Sequence, residues 1–446
     1  MQQGTGENRE QSTGALKEGD PADSEIYALK DFLDWCPGVT GDIARYINSN
    51  LECDQPGIAL ATAIAFMSSV RAGRIQYGSI VSPTLYTCTV ASSGSGKSRA
   101  QQIISEICLE CGLKTLLMGR PASDAGILFR LQRAPRQFLI WDEFGLALEE
   151  MSKSSNSYRV SIISTIMDLY SASGRLHIGK EYVDKDRVDI ESPYLSICAA
   201  STPGKFFNIL TKDFIENGFL NRWLVFESPE SDDYRDPIIS DIPQNIIRDI
   251  LAMDNGEPDN SGGALGGYIY KKRIEMILDP DTADIMKESR WDMLRQSKTD
   301  AHKTLWMRAK ENAIKLCMTL SDVDGSCSDK TASYAWRLIK HLTNHIITRS
   351  DESIINKSQK ASADRSKQFQ ELISKDEVLT QSQLTKRASN LGFSKREREE
   401  RTDDMLESEQ WVSESRTLPR SKKKTTYYAL SSEQLLKHFR SLNTPN

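Results

Sequence analysis

Residues 85–110 read LYTCTV, then ASSGSGKS, then RAQQIISEICLE: an apolar run, eight small or flexible residues, and an amphipathic stretch. This order most constrains the fold, because a strand that feeds a helix directly belongs to a mainly parallel sheet with crossover helices. The loop adds a second constraint. Gly94 and Gly96 permit a tight curl, since glycine takes left-handed backbone without steric cost. Small side chains let successive backbone N–H groups surround an anion at the helix N-terminus. Ser93, Gly94, Ser95 and Gly96 are therefore expected to cradle the phosphates of ATP. Lys97 would reach the β- and γ-phosphates, and the Ser98 hydroxyl would bind Mg²⁺. The usual pattern opens on glycine. Ala91 stands there instead, which serves if its φ is negative.

A second run, QFLIWDEFG (137–145), reads as a buried strand ending in two carboxylates about 45 residues beyond Lys97. Asp142 would hold Mg²⁺ through water opposite Ser98, and Glu143 would polarise the attacking water. An adjacent acidic pair points to hydrolysis, because a phosphoryl acceptor would need its own site. Together the two runs predict a P-loop NTPase core. The next strand, YLSICAASTP (194–203), ends in Ser201 and Thr202. With the 85–90 strand lying between, either hydroxyl would orient the lytic water or sense the γ-phosphate; a plain strand-ending turn at Thr202-Pro203 is the alternative. Arg222, entering RWLVF (222–226), is a candidate to stabilise charge on a phosphate of its own or a neighbouring subunit. Arg175 and Lys180 compete for that role, and ordinary salt bridges are the alternative for all three.

Along the chain, residues 1–23 form a polar tail, expected to be disordered and without a signal-peptide layout. Residues 24–80 look helical, with Ile26, Leu29, Phe32 and Leu33 at helical spacing and a second apolar helix at Gly57–Val70. Residues 81–230 alternate strand-like runs with helices, the α/β core with its mainly parallel sheet. Residues 231–279, dense in Asp, Pro, Gly and Asn, read as a linker or long loop. Residues 280–355 form a helical subdomain, marked by Trp306, Ala309, Ala313, Leu316 and Leu320. No run reaches the roughly 18 apolar residues of a membrane helix, so no membrane partner is expected. The eight cysteines show neither disulfide-framework nor zinc spacing. The one CxxC, Cys108 to Cys111, suits two small residues of a buried helix, in a reducing cytoplasm (the host's, if phage-encoded).

Charge is uneven. From Arg365 onward 16 Lys and Arg face 12 Asp and Glu, a net of +4, which leaves −9 on the remainder of a chain of net charge −5. That excludes a uniformly nucleic-acid-coating protein and leaves room for local contact with an anionic polymer. Residues 363–446 read as a winged-helix-like domain. Its expected helices are Arg365–Ser374, Ser382–Asn390 and a third capped by Ser394, followed by strands at Gln410–Ser415 and Thr425–Leu430. The third helix mixes Lys395, Arg396, Arg398 and Arg401 with Glu397, Glu399, Glu400, Asp403 and Asp404, the pattern of a solvated face. The wing carries Arg416, Arg420, Lys422, Lys423 and Lys424 beside Tyr427 and Tyr428: cations for phosphates and aromatics that stack or pack, or else a mobile charged loop. Lys153 and Arg159, in MSKSSNSYR (151–159), mark a second candidate DNA-facing loop.

Over roughly residues 57–350 the chain resembles the phage- and plasmid-borne P-loop ATPases long catalogued as a domain of unknown function and associated with primases and replication genes. The resemblance rests on an apolar helix pair before the loop strand, GSGKS (94–98), Asp142-Glu143, LYSASGR (169–175), Pro203, GFLNRW (218–223) and LWMRAKENAIKLCMTLS (305–321), with Arg308 and Glu311 at matching positions. It implies an ATPase, and beyond that a replicative helicase or translocase acting as a ring, expected to be hexameric, on single-stranded or forked DNA, with primase or other replication proteins as partners. A helicase loader or initiator that binds DNA without unwinding it is the alternative, and an ATP-dependent regulatory or defence protein with no unwinding role a third.

Overall fold

The run Leu85–Val90 holds no charged residue, which suits a strand covered on both faces. In the computed structural model it becomes β1 (Tyr86–Val90), buried at every position. The structure describes residues 28–152, 157–181, 187–210, 215–231, 233–237, 240–254, 257–258, 268–269, 273–374, 377–417 and 423–443. The core sheet adds β2 (Leu117–Met118), β3 (Arg136–Trp141), β4 (Tyr194–Ser201) and β5 (Trp223–Glu227). All five strands are parallel, in the order β2-β3-β4-β1-β5. The mixed α/β core with a parallel sheet is thus as expected. The neighbours are not: β4 lies between the acidic strand β3 and the loop strand β1, instead of β1 lying between β3 and β4.

Helices cover both faces. Pro56–Val70 is buried at every position after its first, as befits a helix apolar all round. On that face Phe66 meets Phe138 at 5.8 Å, and Thr87 Oγ1 donates to the Ala61 carbonyl at 3.0 Å. On the other face, rings stack inward: Tyr86 lies 5.0 Å from Tyr170 and 5.3 Å from Trp223, and Phe144 lies 4.6 Å from Trp223.

One apolar cluster runs from Phe32 to Leu342, so segments 24–80, 81–230 and 280–355 share a core and are not separate domains. The Trp306–Leu320 periodicity divides into two helices, Asp300–Trp306 and Ala309–Leu320. Part of the expected 231–279 linker is also structural. Helix Gln244–Asp254 buries Ile246, Ile250 and Met253, and Asp254 forms a buried ion pair with Arg136 at 2.5 Å. Ile274–Glu275 pairs in parallel with Ile75–Gln76.

The chain divides into two compact units between Asp351 and Glu352. The long helix Asp329–Gln370 carries it across that point, so the helix expected at Arg365–Ser374 is this helix's end and the expected boundary at 363 moves to 352. The second unit contains helices Gln381–Asn390, Lys395–Glu407 and Ser432–Asn443. Its antiparallel sheet comprises β6 (Leu379–Thr380), β7 (Val412–Thr417) and β8 (Lys424–Ala429), ordered β6-β8-β7. Ser394 caps its helix through a capping box with Glu397. Phe369, Phe393, Met405 and Trp411 form the core of this unit, and Phe439 of the last helix covers Tyr427 at 5.2 Å.

Candidate functional site

At the carboxyl end of β1 the chain curls through 91–96 into helix Lys97–Glu110. Gly94 and Gly96 hold φ of +83° and +89°, a region that strains any side chain. At Gly96 a Cβ would also lie 2.9 Å from Leu51 Cδ2. Ala91 is buried and is not among the residues of positive φ, so alanine fits the place where glycine is usual. Its N–H donates to the Ser201 carbonyl at 3.1 Å, and the Ser228 N–H donates to the Val90 carbonyl at 2.9 Å. The loop is therefore pinned to both flanking strands.

No side chain caps helix Lys97–Glu110, and its first turn holds no acid. Its orphan N–H groups and the positive end of its dipole are left to face an anion. Lys97 Nζ folds back to donate to the carbonyls of Ala91 at 2.6 Å and Ser92 at 2.5 Å. Partial burial pushes the Lys97 ammonium below its ordinary pKa, while Asp142 pulls it up. Ser98 is exposed.

The acidic pair follows β3, which is buried except at the half-buried Ile140, while Asp142 and Glu143 are open to solvent. Glu143 has φ +51°, one of three non-glycine residues described with positive φ. Its N–H donates to Asp142 Oδ1 at 2.9 Å, and its carbonyl accepts from Leu146 at 3.0 Å as helix Phe144–Ser152 begins. Ser201 ends β4, between the glycine loop and this pair. Gly145 makes that approach possible, because a Cβ there would fall 2.2 Å from Ser201 Oγ. Loop, hydroxyl and carboxylates thus meet at one end of the sheet, where open α/β sheets bind ligands. Thr202 sits beside them, its carbonyl starting helix Pro203–Phe207.

The arginines do not join this group. Arg222 precedes Trp223, which pairs with Tyr86 at the start of β1, so it lies about six residues, roughly 20 Å, from Ala91 along the strand direction. It donates to the Gly218 carbonyl and is half-buried near Arg308. Arg175 is at the same amino end, donating to the Ser79 carbonyl at 2.6 Å. Both therefore stand at the opposite end of the sheet from the glycine loop of their own chain. Lys180 pairs with Asp124 at 2.9 Å.

The expected nucleic-acid residues fare unevenly. Lys153, Arg420 and Lys422 lie outside the described residues, and Arg159 lies in helix Ser157–Ala172 and not in a loop. Lys423 and Lys424 are exposed. Tyr427 and Tyr428 are 5% and 7% exposed, so they pack and offer no base-stacking face. On the helix Lys395–Glu407, Arg396 pairs with Glu400 at 2.6 Å and Lys395 with Glu399 at 3.9 Å, a solvated face with internal pairing.

One cluster beside the loop has no local sequence signal. Glu227, ending β5 next to Val90, accepts from His345 Nε2 at 2.8 Å and from Arg349 at 2.8 and 3.0 Å. Burial pushes its carboxyl up, but His345 and Arg349 hold it below the ordinary glutamate value. The partners are more than a hundred residues away in sequence. No family model matches this chain, and no curated protein matches it.

Proposed function

We propose that this protein is a P-loop ATPase. The observation that carries the reading is the convergence, at one end of a parallel sheet, of an uncapped helix N-terminus behind a two-glycine curl and the Asp142-Glu143 pair across Ser201. Lys97, now bonded to loop carbonyls, would exchange them for the β- and γ-phosphates of ATP. Among the described residues no three His, Cys, Asp or Glu side chains gather as a metal site. A cation arriving with the triphosphate would be held by Ser98 and Asp142, where Mg²⁺ would neutralise phosphate charge. Glu143 then activates water, and Ser201 or Thr202 orients it.

The larger reading is a replicative helicase or translocase working as a ring, expected to be a hexamer, on single-stranded DNA. The place of Arg222 at the far end of the sheet supports action on a neighbouring copy's nucleotide, which a ring would supply. The second unit's helices and hairpin, with Lys423 and Lys424 exposed beside the strand pair, support a winged-helix reading with phosphate contact. Hydrolysis and unwinding by wild-type chain and Glu143→Gln test both levels. The reading expects DNA-stimulated hydrolysis with strand separation, reduced about 10²- to 10⁴-fold in the variant, the range of a positioned base. Normal hydrolysis by Glu143→Gln would remove the base assignment. Slow hydrolysis that DNA does not stimulate would favour a loader or initiator instead.

A further inference from the structure

A cavity of about 580 Å³ opens at the amino end of the sheet, between segments 77–82, 170–175 and 308–315. Five cations line it: Arg175, Arg290, Arg308, Lys310 and Lys315. Its one carboxylate is Glu311, already engaged by Arg308 at 2.6 Å and Lys315 at 3.1 Å. Among the described residues no acid pairs with Arg175, Arg290 or Lys310. This concentration of positive charge occurs in a chain of net charge −5.

The cations also stand close enough to disfavour one another. Lys315 is 3% exposed, its ammonium 3.4 Å above the Tyr170 ring. Burial, against the pull of Glu311, brings its pKa down to about 8, with Arg308 and Arg222 adding repulsion. Lys310 is lowered by burial and then by Arg290 and Lys287, with Asp284 opposing. Like charges at such separations repel unless an anion sits among them. Hydroxyls of Ser79 and Tyr77 complete the wall with groups that donate to phosphate oxygens. The volume falls within the range of small-ligand sites, which favours a compact phosphorylated molecule over a polymer.

We propose that this cavity is a second anion site that binds a free pyrophosphate- or phosphate-ester-bearing small molecule, separate from the loop at 91–98. The proposal stands apart from the ATPase reading, since it uses none of that site's residues. The same phosphoryl chemistry has another source, a nucleotide held by an adjacent copy, and the test separates the two.

Inorganic pyrophosphate is titrated calorimetrically into the full chain carrying Lys97→Ala, at dilutions where it is monomeric, and into the same chain with Arg290→Glu and Lys310→Glu added. The expected result is one retained site in Lys97→Ala and at least a tenfold loss on adding the two reversals. A milder Lys310→Gln, checked for an unchanged melting curve, should weaken binding in the same direction. Loss of all pyrophosphate binding in Lys97→Ala would overturn the proposal, as it would mean that the loop and not the cavity is where phosphate binds. Unchanged affinity in a folded Arg290→Glu, Lys310→Glu chain would overturn it equally.

Discussion

Glu143 is the residue at which fold and chemistry pull in different directions. A glutamate at φ +51° carries a backbone cost of about 1–2 kcal/mol, and such strain persists where function holds it. Glu143→Gly should therefore raise stability by about 1 kcal/mol in a denaturant titration while abolishing hydrolysis. A destabilised Glu143→Gly would show that the strain is not there to be relieved. Glu311 gives a second prediction with a pH sign. Burial pushes its carboxyl up, yet Lys315 and Arg308 together hold it below its ordinary value, so it is charged at neutrality. Glu311→Gln leaves Lys315 buried and unpaired, and should cost about 3–5 kcal/mol at pH 7. A lysine depressed to about 8 binds fewer protons folded than unfolded between that value and about 10.4. Stability attributable to it therefore rises with pH across the window. Without Glu311 the ammonium gives up its proton still more readily, so the deficit should shrink between pH 7 and 9.5. A deficit that grew with pH would reverse the assignment.

At the scale of elements, what could be read in the sequence was what lies close together in it. GSGKS and the DEFG tract each carry their chemistry within a few residues, and the structure brings both to one end of the sheet. Strand order could not be read that way. Periodicity reports which residues are buried, not which strand lies alongside, so the place of β4 between loop and acids emerges only from pairing. Strand β2, two residues long, has no pattern to detect. Glu227, His345 and Arg349 assemble from elements far apart in sequence. Helix Gln244–Asp254 was hidden by the polar tract around it, although Ile246, Ile250 and Met253 seat it in the core. Its last residue supplies a test. Asp254→Ala removes the carboxylate that faces Arg136, 4% exposed at the start of β3, and should destabilise the protein by about 3–5 kcal/mol. A loss under about 1 kcal/mol would return this segment to the status of a linker.

At the scale of the whole molecule, two units divide the work proposed for it. The first, ending at Asp351, holds the glycine loop, the acidic pair and the basic cavity. The second holds the hairpin with Lys423 and Lys424. If those lysines meet phosphates, replacing both with alanine should lessen the slope of log affinity against log salt by about 0.7 for each on single-stranded DNA, with basal hydrolysis unchanged. An unaltered slope would remove the wing from the DNA surface. Among the described residues no helix is long and apolar enough to cross a membrane.

Whether residues 91–98 form a nucleotide cradle is tested most directly by equilibrium binding of ATP with Mg²⁺. Wild-type and Glu143→Gln chains should bind with similar affinity, because the role proposed for the carboxylate is on water and not on the phosphates. Lys97→Ala should bind at least tenfold more weakly, since a charge-assisted hydrogen bond contributes about 1.5–3 kcal/mol. ATP binding by a folded Lys97→Ala chain with wild-type affinity would contradict the account.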